Sequence, residues 1–150
     1  MSTLSLHTPF GREGIEAIIP HRAPFLLVDE VLELVPGQRC VARKVVRDDE
    51  WYLSGHFPGR PVMPGVLMVE GLAQAGAIAA LSLEENRGKL ALFAGIDDVR
   101  FKRIVEPGDE LTFTCELEAV RGPVGRGKAV ARVGDELAVR GTLTFATAAE

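Results

Sequence analysis

The chain has 150 residues and a formal net charge of -4 at pH 7, and 47% of its residues are hydrophobic. This length suits one domain with one sizeable core, so we expect a single domain over residues 1–150 with a flexible start over residues 1–11. The negative charge argues against nucleic-acid binding, which needs excess positive charge to neutralise phosphates. Because the chain shows neither a signal-peptide pattern nor an apolar run of membrane-spanning length, we expect a cytoplasmic protein without membrane insertion.

Hydrophobic periodicity predicts, in chain order, a short helix, two strands, an irregular loop, one long helix and four more strands. Prolines and glycines set the boundaries, because proline lacks the backbone donor that helices and ladders need and glycine permits turns. The long helix is apolar on nearly every face, so sheet or a partner subunit must surround it. The pattern indicates an α+β fold in which an antiparallel sheet of about six strands wraps around one long central helix. The predicted bounds are helices at 12–19 and 66–83, strands at 25–35, 39–47, 89–103, 109–119, 126–133 and 136–146, and a loop at 48–64.

The segment with the strongest functional signal is residues 55–65, Gly-His-Phe-Pro-Gly-Arg-Pro-Val-Met-Pro-Gly. A proline at every third position from 58 to 64 excludes helix and central strand and makes this loop stiff. Stiffness suits a catalytic base, which must be held within hydrogen-bond reach of the proton it removes, so His56 is the candidate base. The alternative is a loop histidine with a purely structural role.

The end of the same loop predicts an oxyanion site. Pro64 suits the first position of the long helix, where its missing N–H would have no partner anyway. Gly65 then presents its backbone N–H without a side chain in the way. Together with the positive end of the helix, this group can receive negative charge that develops on a thioester carbonyl oxygen. The alternative is an ordinary Pro-Gly helix start.

Glu70 is the unusual residue of the long helix, because its neighbours there are apolar and an unpaired carboxylate among them would be costly. Gln74 lies one turn later on the same face, where its amide can hydrogen-bond and orient the carboxyl group. Burial raises the pKa of a carboxyl group, so Glu70 can hold a proton near neutral pH, as a general acid must. The alternative is a structural carboxyl group capped by Gln74 or by a partner subunit.

His56 and Glu70 together predict one reaction. His56 would remove a proton from the carbon next to a thioester carbonyl, and Gly65 would stabilise the enolate-like oxygen. Glu70, directly or through a water, would protonate the departing 3-hydroxyl group. The products are a 2-enoyl thioester and water.

A basic cluster, Arg100, Lys102 and Arg103, stands out in this acidic chain. Such a cluster can steer a small acidic carrier protein onto its docking surface. The alternative is a solvated strand edge whose positive charge prevents aggregation. The three histidines of the chain are too scattered to suggest a zinc site, and we expect no metal.

Three blocks of the sequence resemble the bacterial (3R)-hydroxyacyl-[acyl-carrier-protein] dehydratases of the FabZ type, which have the hot-dog fold. The blocks are residues 20–29, residues 55–74 and residues 93–109. The resemblance implies that His56 and Glu70 occupy the two catalytic positions of the family. We expect the oxyanion and substrate-binding site to be formed by Phe57, Pro64, Gly65 and Val66.

The resemblance also implies a substrate and an assembly. The substrate is a (3R)-3-hydroxyacyl chain on the phosphopantetheine arm of acyl carrier protein, converted to the trans-2-enoyl form in type II fatty acid biosynthesis without a cofactor. The assembly is a homodimer in which His56 faces Glu70 of the partner subunit across an acyl tunnel, usually as a trimer of dimers. The related dehydratase/isomerase branch resembles the chain less, because it carries Asp where Glu70 stands.

Three departures from the family pattern leave the acyl chain-length preference open: Leu53 replaces a frequent aromatic residue, Gly71 replaces Ala, and Ile104 replaces Pro. The sequence equally leaves open whether the pathway serves bulk lipid, lipid A precursors or secondary metabolism. The alternative functions are another hot-dog thioester enzyme, either an enoyl-CoA hydratase or a thioesterase, and a non-catalytic acyl-thioester binding module.

Overall fold

A computed structural model describes residues 7–149, apart from the side chains of residues 119–121. Of the start expected to be flexible, residues 1–6 lie outside the described residues, whereas Phe10 exchanges two backbone hydrogen bonds with Val31. The helices are α1 (Arg12–Ile18) and α2 (Gly65–Leu81), with a short 3-10 helix at Glu84–Asn86. The strands are β1 (Glu30–Val35), β2 (Arg39–Val45), β3 (Leu90–Phe101), β4 (Glu110–Arg121), β5 (Val124–Val133) and β6 (Glu136–Ala148).

The six strands form one antiparallel sheet in the order β1-β2-β4-β5-β6-β3. Helix α2 packs against one face of this sheet, where it contacts strands β2 to β6. The α+β architecture predicted from the sequence, a sheet around one long helix, is therefore confirmed. No helix within residues 7–149 is long and apolar enough to cross a membrane.

The core lies between α2 and the central strands. On β4 the odd-numbered side chains Leu111, Phe113 and Cys115 are fully buried, as the period-two alternation predicts. A Cβ atom at Gly71 of α2 would lie 2.5 Å from Phe113 Cζ. The absence of a side chain at Gly71 therefore lets the helix approach the Phe113 ring closely, which gives a physical reason for this departure from the family pattern.

Several predicted boundaries differ from the observed ones, most of them by one or two residues. The first strand begins at Glu30 and not at residue 25, because the backbone before it turns toward α2 and the Leu27 N–H donates to Gln74 Oε1 (2.8 Å). Helix α2 starts at Gly65 with Pro64 as its N-cap residue, and it ends at Leu81. Strand β5 begins at Val124, two residues before the predicted start at residue 126.

Strands β1 and β3 are the two edges of the sheet. Strand β3 pairs on one side with β6 and carries large apolar side chains that are about half exposed: Leu92 53%, Phe93 42%, Ile96 52% and Phe101 52%. A long edge strand with such side chains is a template for pairing with another chain.

Candidate active site

The loop before α2 fixes the position and the protonation pattern of His56. Its backbone is held by hydrogen bonds from His56 N–H to Leu53 O (3.0 Å) and from Val62 N–H to His56 O (2.8 Å). The His56 ring lies 2.8 Å from Val62 O through Nδ1. A carbonyl oxygen can only accept, so Nδ1 donates and, in the neutral ring, Nε2 keeps the free lone pair that a base needs.

Phe57 stacks on the His56 ring, with centroids 4.0 Å apart and planes 28° from parallel. The ring of Phe57 is itself 53% exposed. Phe57 therefore restricts the orientation of the His56 imidazole from one side. This contact lies within the predicted substrate site.

The start of α2 lies beside His56. Gly65 and Val66 line the same cavity as His56, with a volume of about 320 Å³. The first hydrogen bonds back to the helix start come from Leu67 N–H (3.0 Å) and Met68 N–H (3.3 Å), both to Pro64 O. The N–H groups of Gly65 and Val66 precede these bonds and belong to the first turn, whose donors have no acceptor inside the helix.

Gly65 is also in close contact with the sheet. A Cβ atom at this position would lie 2.6 Å from Cε1 of Phe101 on β3. Glycine therefore lets the ring of Phe101 pack on the start of α2. Because Gly65 has no side chain, nothing on this residue blocks access to its backbone N–H. This geometry suits the predicted oxyanion site.

Gln74 holds Glu70 in one orientation. The Gln74 side chain is fully buried, and its Nε2 donates to Glu70 Oε2 (3.0 Å) and to Phe25 O (2.9 Å), while its Oε1 accepts from Leu27 N–H. Because the backbone N–H of Leu27 must donate, the oxygen of the amide faces Leu27 and the NH₂ group faces Glu70. The bond to Oε2 leaves Oε1 of Glu70 as the oxygen that can carry a proton.

Burial raises the pKa of Glu70, and the hydrogen bond from Gln74 opposes that rise. The net direction is upward, because the apolar surroundings disfavour the charged form more than one hydrogen bond stabilises it. A carboxyl group with a raised pKa is suited to donate a proton at neutral pH.

His21 lies next to Glu70, which the chain pattern alone did not predict. Its Nε2 is 3.8 Å from Glu70 Oε2, and both residues line a cavity of about 230 Å³. Burial, with a smaller contribution from the charge of Arg22, lowers the pKa of His21, so the ring is neutral near pH 7. The pair is therefore a polar contact and not an ion pair at that pH. Among the described residues, the buried His21 Nδ1 has no hydrogen-bond partner.

His56 and Glu70 line different cavities of the same chain. Glu70 is five residues after Gly65, about 7.5 Å along the helix and about 140° around its axis. The two candidate catalytic groups therefore open onto different sides of α2.

The basic cluster is divided by its contacts. Arg103 donates to Asp109 Oδ2 (2.9 Å) and to Glu136 Oε2 (3.2 Å), and it lines the cavity beside His56. Arg100 and Lys102 are exposed at and just beyond the end of β3. Only these two keep side chains that extend into solvent without an acidic partner among the described contacts.

The fold and these residues define a hot-dog protein with a candidate acid-base site. A family model, the FabA-like domain, matches residues 19–142. The chain is 57% identical over 138 residues to 3-hydroxyacyl-[acyl-carrier-protein] dehydratase FabZ of Roseiflexus sp., which covers 92% of this chain and 96% of the relative. It is 58% identical over 134 residues to the same-named protein of Chloroflexus aggregans, covering 89% of this chain and 93% of the relative.

A solved structure, the dehydratase heterocomplex ApeI:P from Xenorhabdus doucetiae, matches with a TM-score of 0.78 and 20% identity and covers 91% of each chain. At this identity the likeness concerns the fold. The chain therefore belongs to the FabA-like family, in the FabZ-type branch that the two relatives represent.

Proposed function

We propose that this protein dehydrates (3R)-3-hydroxyacyl-[acyl-carrier-protein] to trans-2-enoyl-[acyl-carrier-protein] and water in type II fatty acid biosynthesis. The relatives that are 57% and 58% identical over nearly their whole length bear the name of this activity. The observation that carries the proposal is the complementary pair of side chains: a histidine with Nε2 free, and a buried carboxyl group with a raised pKa.

His56 acts first in this mechanism. Its Nε2 lone pair takes a proton from C2 of the substrate, and the electrons of the C2–H bond move toward the thioester carbonyl. The N–H of Gly65 receives the negative charge that develops on the carbonyl oxygen, supported by the positive end of α2. Val62 O stabilises the resulting imidazolium ion, because Nδ1–H points at this carbonyl oxygen.

Glu70 completes the elimination. As the C2=C3 double bond forms, the C3–O bond breaks, and the proton of Glu70 goes to the departing hydroxyl group, which leaves as water. His56 is then protonated and Glu70 is ionised. Transfer of one proton from the imidazolium ion to the carboxylate, through solvent, restores the starting state, so no co-reactant is needed.

This mechanism requires both groups at one substrate, whereas the cavities of a single chain keep them apart. We therefore propose a homodimer in which His56 faces Glu70 of the partner subunit, with the apolar edge of β3 at the interface. The half-exposed side chains Leu92, Phe93 and Ile96 support this interface. A trimer of dimers, as the family resemblance implies, is the proposed complete assembly, and its mass in solution tests this step.

The proposed carrier is an acidic protein, and the exposed Arg100 and Lys102 are the docking residues that its charge would favour. Arg103 is a weaker candidate, because Asp109 and Glu136 already neutralise it. With this carrier-borne substrate we propose a cytoplasmic location, which cell fractionation tests.

The activity is tested by mass spectrometry of 3-hydroxybutyryl-acyl carrier protein after incubation with wild type, His56→Ala or Glu70→Gln. We expect wild type to remove one water and give crotonyl-acyl carrier protein. The variants should be slower by about a hundredfold or more, because each lacks one proton-transfer group. Circular dichroism of each protein serves as the control for folding.

Other outcomes would contradict the proposal in distinct ways. Release of free acid by wild type would identify a thioesterase. Binding without conversion would identify an acyl-thioester binding module. Equal activity of wild type and both variants would show that other groups carry the chemistry.

A further inference from the structure

One face of α2 carries only small side chains after Glu70. Ala73, Ala77 and Ala80 follow at helical spacing and lie, with Glu70, within about 80° of arc along about 15 Å of the axis. The first part of this face, from Glu70 to Ala77, lines the cavity of about 230 Å³ that also contains His21. Ala80 lines a second cavity of about 30 Å³ farther along the helix.

Phe145 of β6 is the residue that lines both cavities. Its ring lies between α2 and β5: a Cβ atom at Gly125 would be 2.6 Å from Phe145 Cε2, and one at Gly76 would be 3.8 Å from Phe145 Cε1. Glycine at position 125 therefore makes room for the ring to lie across the space between sheet and helix. The ring closes the larger cavity at the end away from Glu70.

The second cavity is lined mainly by apolar residues, with Asn86 and Thr147 as its polar members. Leu83, Leu117 and Pro123 line it together with Ala80. Asn86 Nδ2 donates to Ala80 O (2.9 Å) and ties the segment that follows α2 to the last turn of the helix. The cavity is therefore a small apolar chamber that suits hydrocarbon and offers an acyl chain no charged partner.

From this geometry we infer that Phe145 sets the acyl chain-length limit: its ring stops the methyl end of the chain in the cavity beside Glu70, and the chamber behind it is the space that a longer chain would need. The inference rests on the proposed function, because it takes the cavity beside Glu70 as the acyl site. Each methylene group admitted to an apolar pocket changes discrimination by about tenfold or more.

The test compares 3-hydroxybutyryl-, 3-hydroxydecanoyl- and 3-hydroxyhexadecanoyl-acyl carrier protein as substrates of wild type, Phe145→Ala and Phe145→Leu. The readout is the ratio of kcat/KM for the longest to that for the shortest substrate within each protein, which cancels differences in the folded fraction. We expect Phe145→Ala to raise this ratio by about tenfold or more, with Phe145→Leu between it and wild type. Phe145→Leu keeps an apolar side chain in the core, so the ratio can be measured with this variant even if Phe145→Ala folds poorly.

Two variants at Ala80 provide the matched controls. Ala80→Leu alone fills the chamber behind an intact Phe145 and should leave the ratio unchanged. Combined with Phe145→Ala it refills the opened space and should return the ratio to the wild-type value. The inference is overturned if Phe145→Ala and Phe145→Leu keep the wild-type ratio in an active enzyme, or if wild type already converts the longest substrate as efficiently as the shortest. Absence of dehydration by wild type would instead refute the proposed function.

Discussion

Glu70 shows how two opposing effects at one residue decide its protonation. Burial raises its pKa above the ordinary value of 4.5, and the hydrogen bond from Gln74 lowers it by less. In the pH range between the unfolded and the folded pKa, the folded state therefore binds more protons than the unfolded state. The contribution of Glu70 to stability is then complete below pH 4.5 and is lost as the pH rises through the folded pKa.

Glu70→Gln should remove this pH dependence. Glutamine keeps an oxygen that can accept from Gln74 Nε2 (3.0 Å in wild type) but carries no charge to bury. We expect the free energy of unfolding of Glu70→Gln, relative to wild type, to increase as the pH rises from below 4.5 to above the folded pKa. Urea unfolding at a series of pH values measures this difference.

The matched control is Glu85→Gln, in the exposed 3-10 helix after α2. Its side chain lies in solvent, so the same chemical change should give no comparable increase. A constant difference between Glu70→Gln and wild type at all pH values would show that the carboxyl group is not held protonated by the fold.

At the scale of elements, the contact between the start of α2 and β3 depends on the absence of a side chain at Gly65. In Gly65→Ala, the added methyl carbon would lie only 2.6 Å from Phe101 Cε1. The ring of Phe101 must then move, and the methyl group narrows access to the backbone N–H beside His56. We expect kcat to fall by about tenfold to a thousandfold, the range for weakening an oxyanion donor.

Gly55→Ala is the control for this prediction, because a Cβ atom there meets nothing within 4 Å and the loop is otherwise the same. It should retain most of the activity. Steady-state kinetics of both variants separate the cases: equal activity of Gly65→Ala and Gly55→Ala would show that access to the Gly65 N–H does not depend on the missing side chain.

The sequence was informative wherever a contact lies within one element or one stiff loop. The bond between Gln74 and Glu70 follows from their spacing of four residues on α2, and His56 reaches Gly65 through a proline-rich loop that has few alternative paths. Contacts between distant segments could not be predicted in this way. The approach of His21 to Glu70 spans 49 residues of sequence and has no periodic signature.

Strand β5 begins earlier than predicted because glycine residues interrupt the apolar–polar alternation by which a strand is identified in the sequence. Gly125 and Gly127 are the first two buried members of the pattern that starts at Val124, and they pack against Phe145 and Cys115. Without a side chain, a glycine contributes no apolar position to a period-two pattern. The predicted strand therefore starts at residue 126, after Gly125.

At the scale of the whole molecule, the exposed apolar edge of β3 predicts that assembly and activity are lost together. Ile96 is 52% exposed at the edge of the sheet, and Ile96→Lys would place a charge in the proposed interface. We expect a monomer whose dehydration rate is lower by about a hundredfold or more, because each half-site lacks one proton-transfer group. Analytical ultracentrifugation and the mass-spectrometric assay measure both properties on one sample.

Val35→Lys is the corresponding change on the opposite edge strand, β1, where Val35 is 39% exposed. It should leave the dimer and its activity in place. A monomeric and fully active Ile96→Lys protein would refute a site built from two subunits.

Mixing two inactive variants tests directly which chain supplies which group. If His56 works with Glu70 of the partner subunit, a dimer formed from one His56→Ala chain and one Glu70→Gln chain has one site with both changes and one with neither. Random reassociation of equal amounts makes half of the dimers mixed, so about one quarter of the wild-type activity should return. If both groups of a site came from one chain, every site would carry one of the two changes, and the mixture would remain as inactive as its components. Incubation of the two variants in mild denaturant, followed by refolding together or separately and the same assay, distinguishes these two arrangements.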